Sequence, residues 1–280
     1  MIRALGLASL GCAAFAETSK PIIGVITQPT KVADDAEESG GPVSGARAAA
    51  GAEGEYIAAS YIKFVEAAGG RAVPIHYTAD EDTLTSLAKS VNGILLPGGG
   101  VSLSNSSVYY QAGQTLYNAA VKFNDAGEHF PIWGTCLGFE ELARLLSGSN
   151  DQTLSPHAGQ ARFDSENYPV PLVATEAMAR SRMFGSAPAD LLKAITTENI
   201  TMNNHGAGVT PQDFEEILGG TVEMLSTNVD RAGRPFVSTF EAKSYPFCTP
   251  DDVLCHPLPN HSREQRSSCA RVTACACEAK

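Results

Sequence analysis

The sequence predicts an α/β fold with a mostly parallel central sheet and helices on both faces. Three observations carry that reading. Short continuous apolar runs, Ile22-Ile23-Gly24-Val25-Ile26 and Gly93-Ile94-Leu95-Leu96, have the form of strands buried on both faces. Segments with helical spacing alternate with these runs, as a sheet with crossover helices requires. Glycine-rich turns, Pro97-Gly98-Gly99-Gly100 and Gly134-Thr135-Cys136-Leu137-Gly138, follow the strands, at the edge where such sheets place their chemistry.

In chain order, the first strand falls within Pro21 to Ile26. Residues Lys31 to Gly54 are small, polar and without a sustained period, and are expected to form a surface loop. Ile57, Tyr61, Phe64, Val65 and Ala68 share one helical face, stopped by Gly69-Gly70. A short strand, Ala72 to Ile75, comes next, and Leu84, Leu87 and Ala88 mark a helix after Asp80. The strand Gly93 to Leu96 leads into the triple-glycine turn. A long helix is expected between Ser107 and Ala126, then a strand Phe130-Pro131-Ile132-Trp133 and a helix Glu140 to Leu146.

The 280 residues are 43% apolar and 18% charged, which fits one globular α/β unit. Twenty basic against 31 acidic residues give a net charge of −11, which argues against nucleic acid or an anionic membrane as partner. An acidic chain that binds an acidic small molecule must gather its few cations around the pocket. Met1-Ile2-Arg3, the apolar stretch to Ala16 and the ending Ala14-Phe15-Ala16 have the three parts of a secretory signal over residues 1–16. Acceptor triplets at Asn105, Asn199 and Asn260 are consistent with a secretory route. After Phe247 the composition shifts: residues 248–280 hold five of the seven cysteines, without a recognised zinc spacing, so no metal site is expected.

Cys136 is the candidate nucleophile. Its glycine neighbours permit a sharp strand-to-helix turn that presents a strained side chain, and the N-terminus of the following helix favours a thiolate. A buried structural cysteine is the plain alternative. A thiol attacking a carbonyl also needs donors for the developing oxyanion. The backbone N–H of Leu137 is one, and Gly99 and Gly100, whose missing side chains let backbone approach a substrate, can supply another.

Pro97-Gly98-Gly99-Gly100 and Trp133-Gly134-Thr135-Cys136-Leu137-Gly138-Phe139-Glu140-Glu141-Leu142 together resemble the γ-glutamyl hydrolases, a family with the class I glutamine-amidotransferase-like fold. Lys20-Pro21-Ile22-Ile23-Gly24, Tyr56 to Tyr61, Ser181-Arg182-Met183-Phe184 and Ser238-Thr239-Phe240-Glu241-Ala242 extend the resemblance over most of residues 20–247. It implies cysteine-dependent hydrolysis of γ-glutamyl bonds in folyl and antifolyl poly-γ-glutamates through a thioester, with no metal or organic cofactor. It further implies that Glu140 and His205 line or support the pocket. Extracellular space, lysosome or vacuole are the implied locations, and a homodimer is left open. On residue pattern alone, Glu140 can equally be a helix-start acid and His205 a turn histidine. Arg180 and Arg182 could meet substrate carboxylates, but most arginines are solvated surface residues, and neither is taken as a site residue.

The resemblance breaks after Tyr245-Pro246-Phe247. The family draws its general-base histidine from a Trp-His-Pro-Glu-like segment, whereas this chain reads Cys248-Thr249-Pro250-Asp251-Asp252-Val253-Leu254-Cys255-His256-Pro257. His256 is the candidate base, a few residues further along. Two expectations follow: an enzyme that uses His256, or a relative that keeps the pocket with impaired turnover. A glutaminase subunit feeding ammonia to a synthetase is a third, opposed by the secretory signal.

Overall fold

The computed structural model describes residues 20–30, 54–250 and 253–254. The expected signal segment, residues 31–53 of the expected loop, His256, Asn260 and the cysteines at 12, 255, 269, 275 and 277 lie outside the described residues.

The chain opens with β1 (Ile22–Ile26), β2 (Gln28–Pro29) and β3 (Glu55–Tyr56), then α1 (Ala59–Ala67), β4 (Arg71–Ile75), α2 (Glu81–Ala88), β5 (Gly93–Leu96) and α3 (Val108–Asp125). β6 (Ile132–Gly134), α4 (Leu137–Leu146), β7 (Tyr168–Val170), β8 (Val173–Ala174) and α5 (Ala189–Thr197) follow. The last elements are β9 (Thr201–Asn203), a short α6 (Pro211–Asp213), β10 (Val222–Val229), β11 (Pro235–Ala242), β12 (Phe247–Pro250) and β13 (Val253–Leu254).

Local chemistry sets several of these boundaries. Asp80 accepts the Thr83 N–H at 2.8 Å and starts α2. Past the end of α1, Gly69 adopts φ +88° and Gly70 N–H donates to Val65 O at 3.0 Å, a turn that needs a residue without a Cβ. Ile57 lies ahead of α1 and still packs with its face. The helix after β6 starts at Leu137, three residues earlier than its apolar pattern indicates, because Gly138 and Phe139 are already wound into its first turn.

The main sheet has the order β4-β1-β5-β6-β12-β11-β10-β8. The first five strands are parallel and the last three antiparallel. Alternation along the apolar strands fills both faces. Val25 and Leu95 pack with Val65 of α1, while Ile26, Ile94 and Leu96 pack with α2, α3 and α4. Ile94, Leu95 and Leu96 are each at most 2% exposed, and a fully buried side chain of this kind contributes about 1.5–3 kcal/mol. This confirms the mostly parallel sheet covered on both faces. A smaller sheet, β13-β9-β7, sits beside it.

One core contact is unusual. Glu141 of α4 is fully buried against α3, in the space left by Gly113, where a β-carbon would come within 2.9 Å of its Cδ. Neither carboxylate oxygen has a hydrogen-bond partner among the described residues, and burial pushes its pKa well above the usual carboxylate range, only partly offset by the adjacent Tyr109 hydroxyl. A carboxyl whose folded pKa is raised holds its proton longer when folded, so wild-type stability falls as pH rises from the unfolded pKa toward the folded one. Glu141→Gln should remove that slope. The expected gain is about 1–3 kcal/mol at pH 8 and little at pH 4, measured by urea unfolding at several pH values.

Candidate active site

Parallel register brings the functional turns together. Leu96 of β5 stands opposite Gly134 of β6, and Phe247 and Cys248 of β12 stand opposite Ile132 and Trp133. The carboxyl ends of β5, β6 and β12 therefore share one edge, with the end of β1 leading into Gln28 on the same side.

At that edge Cys136 occupies φ 54° and ψ −113°, directly ahead of α4. A non-glycine residue held there carries roughly 1–3 kcal/mol of backbone strain, which persists only where the surroundings enforce it. They do so through two glycines. A β-carbon on Gly134 would lie 2.7 Å from the carbonyl carbon of Gly138, and one on Gly138 would lie 2.6 Å from the carbonyl carbon of Leu96. Thr135 N–H donates to Leu96 O at 3.1 Å and Gly138 N–H to Thr135 O at 2.9 Å, closing the elbow. Leu137, as first residue of α4, points its N–H out of the helix's own hydrogen-bond ladder.

The triple-glycine turn abuts the thiol. A β-carbon on Gly98 would sit 2.9 Å from Cys136 Cβ and 3.4 Å from Sγ, so only glycine fits this approach. Gly98 N–H donates to the Tyr61 hydroxyl at 2.7 Å, and the Gln28 amide packs on Gly99, its Nε2 within 2.5 Å of where a β-carbon would be. Gln28 in turn donates to the Tyr109 hydroxyl at 3.4 Å. Gly99 and Gly100, expected as oxyanion donors, thus follow directly on the glycine that abuts Cys136. In the sequence Tyr61 belongs to an apolar helix face, and no motif marks Gln28. A tyrosine on such a face was the available signal, since a buried hydroxyl needs a partner.

Glu140 lies one turn into α4, its N–H bonded to Cys136 O at 3.1 Å. Burial raises its pKa to about 7, against a lowering pull from the Arg162 guanidinium. The expected helix-start role explains its position but not this burial. His205 is 5% exposed, with Nδ1 2.7 Å from Ala207 O and its ring edge-on to Phe163 and Phe236 at 6.1 and 4.8 Å. Burial lowers its pKa to about 4, although the Ala207 carbonyl and Asp230 raise it. The imidazole is therefore neutral at pH 7. Because the folded pKa is depressed below the unfolded 6.5, its contribution to stability is fully present above pH 6.5 and is lost as pH falls toward 4. The loss should reach about 3 kcal/mol, measured by denaturant titration across that range, and His205→Leu should flatten it.

Arg180 and Arg182 do not reach this site. Arg180 pairs with Glu223 at 2.8 Å, and Arg182 donates to Tyr245 O at 2.8 Å and to Ala242 O. The guanidinium whose charge reaches Glu140 belongs to Arg162, packed on Gly206, which no motif marked.

A family model described as Peptidase C26 matches residues 40–213. The chain belongs to the Peptidase C26 family. Among relatives of this C26 chain, gamma-glutamyl hydrolase B of Dictyostelium discoideum is 34% identical over 85% of the chain and 62% of that protein. The gamma-glutamyl hydrolase of Mus musculus is 40% identical over 68% of the chain and 58% of its own length. Gamma-glutamyl hydrolase 1 of Arabidopsis thaliana is 32% identical over 81% of the chain and 60% of its own length. The C26 chain thus spans about three fifths of the length of these curated relatives.

Proposed function

We propose that this chain hydrolyses γ-glutamyl amide bonds in folyl and antifolyl poly-γ-glutamates, with Cys136 as nucleophile. The strained Cys136 elbow against the Gly98 turn carries the reading, supported by relatives that bear the name gamma-glutamyl hydrolase. The thiolate attacks the γ-carbonyl carbon, and the oxyanion is met by backbone N–H groups of Leu137 and of Gly99 or Gly100. The carbon–nitrogen bond breaks, the departing glutamate amine takes a proton, and the acyl group remains on sulfur as a thioester. Water then attacks the same carbon, releasing the γ-carboxylate and the thiol. No cofactor is required by this chemistry. Glu140 and His205 serve as binding and supporting groups, the first near the reacting atoms, the second by bracing the wall behind Gly206.

His256 is the proposed general base. Support comes from β12, which carries the chain toward the edge that holds Cys136. Residues 17–247 form the hydrolase unit, and the 1–16 segment directs it into the secretory route. The missing Trp-His-Pro-Glu segment favours a second reading, a protein that binds poly-γ-glutamates without turning them over.

Incubation with a folyl poly-γ-glutamate, followed by chromatography of shortened products, separates the readings. Cleavage that disappears in Cys136→Ala and in His256→Ala supports the enzyme. Binding of intact substrate without cleavage supports the second reading, and cleavage by Cys136→Ala at the wild-type rate refutes the nucleophile.

A further inference from the structure

We propose that Arg162 is the specificity residue of this site, pairing its guanidinium with the α-carboxylate of the glutamate whose γ-carbonyl is attacked. The inference deepens the function proposed above and rests on it.

The guanidinium of Arg162 lies against Gly206, and the backbone that carries it is anchored. It occupies the space that a side chain would take at Gly206, where a β-carbon would be 2.5 Å from Nη2, 2.6 Å from Nε and 2.9 Å from Cζ. The backbone beneath it is tied down: Phe163 N–H donates to Gly206 O at 3.0 Å, and Arg234 donates to the carbonyls of Ala161 and Arg162 while stacking on the Phe163 ring at 5.0 Å. His205 packs edge-on to the same Phe163 ring.

Its neighbours are already paired. Arg234 bonds Asp230 at 2.7 Å and Arg231 bonds Asp164 at 3.1 Å. Arg162 alone of these three is exposed with no carboxylate at ion-pair distance among the described residues. The charge that reaches it is Glu140, which follows Cys136 by one turn of α4 and, being half-titrated near neutral pH, does not fully neutralise it.

This arrangement fits a γ-linked glutamate. Three carbons separate its γ-carbonyl from its α-carboxylate, a span of ~5 Å when extended, similar to the rise of one helical turn. With the γ-carbonyl at Cys136, an α-carboxylate directed along α4 would fall about one turn away, beside Glu140, where the charge of Arg162 reaches. A planar guanidinium donates bidentately to such a carboxylate, whereas an α-carboxamide presents no charge there. An acidic protein binding an acidic chain needs such a localised cation.

Titration calorimetry with a folyl di-γ-glutamate tests this in the Cys136→Ala background, which keeps the ligand intact. Arg162→Gln should weaken binding by about 10- to 100-fold, and Arg162→Lys by less. Gly206→Ala, which displaces the guanidinium without removing its charge, should weaken it comparably. The same ligand with its α-carboxylates converted to carboxamides should bind poorly and be insensitive to Arg162→Gln. In the active protein, Arg162→Gln should raise KM with kcat within about threefold. Wild-type affinity in Arg162→Gln, or equal discrimination between acid and amide by both proteins, overturns the assignment while leaving the hydrolase reading intact. Absence of poly-γ-glutamate binding in the Arg162-containing protein overturns both.

Discussion

Cys136→Ala should abolish hydrolysis of a folyl poly-γ-glutamate, lowering kcat/KM by at least ~10³-fold, while the protein stays folded. The same position offers an internal control of the strain. Cys136→Gly should also be inactive yet more stable than Cys136→Ala by about 1–3 kcal/mol, since glycine adopts φ 54°, ψ −113° without the Cβ penalty. Urea unfolding of the two variants reads the difference directly. A structural cysteine would behave otherwise: its removal would cost stability and leave the rate alone. Stability and activity therefore move in opposite directions only if the backbone strain serves to present the thiol.

Gly138→Ala should give the largest loss of stability, about 3 kcal/mol or more. Its β-carbon would stand 2.6 Å from the Leu96 carbonyl carbon and 2.9 Å from Leu96 Cβ, and the first of these is backbone of a central strand that cannot move aside. Relief requires separating α4 from β5, which also pulls Leu137 N–H and Cys136 away from the Gly98 turn. The variant should show a lowered urea midpoint and, where still folded, loss of turnover. Gly127→Ala provides a comparison: its positive φ carries strain, but no atom lies within 4 Å of the added carbon, so the site should remain active.

The N-terminal half of the fold was legible because its strands are apolar throughout and its helices carry one-sided faces. Ile94-Leu95-Leu96 admits little except a strand buried on both faces. The antiparallel half was not, since β11 buries seven of its eight residues, polar ones included. Ser238 donates to Asn228 at 2.7 Å, the Ser226 and Thr239 hydroxyls meet at 2.6 Å, and Glu241 accepts the Arg182 N–H at 2.9 Å. Such burial depends on partners 10 to 59 residues away, which no local period encodes. The strand β12 likewise continues through the composition change at Phe247, because its pairing with β6 and β11 constrains backbone more than side-chain type.

The same distinction applies to the site. The Cys136 elbow and the glycine turn were visible because close backbone approach demands glycine at particular spacings. Gln28, Tyr61 and Arg162 were not, because each acts by reaching across the fold: Tyr61 to Gly98, Gln28 to Gly99, Arg162 to Gly206. Glu140 and His205 were marked only by resemblance. The geometry adds why they differ, one carboxyl poised to titrate near pH 7 and one imidazole held neutral among aromatic rings.

The most direct test of Cys136-dependent γ-glutamyl hydrolysis is to look for its intermediate. The protein is mixed briefly with a folyl poly-γ-glutamate, quenched in acid, digested with trypsin and analysed by mass spectrometry for the peptide spanning residues 123–144. The expected result is that peptide bearing the folyl-γ-glutamyl group, removed by hydroxylamine and absent from Cys136→Ala, which also forms no product. Product release at the wild-type rate by Cys136→Ala, with the peptide unmodified throughout, would contradict it.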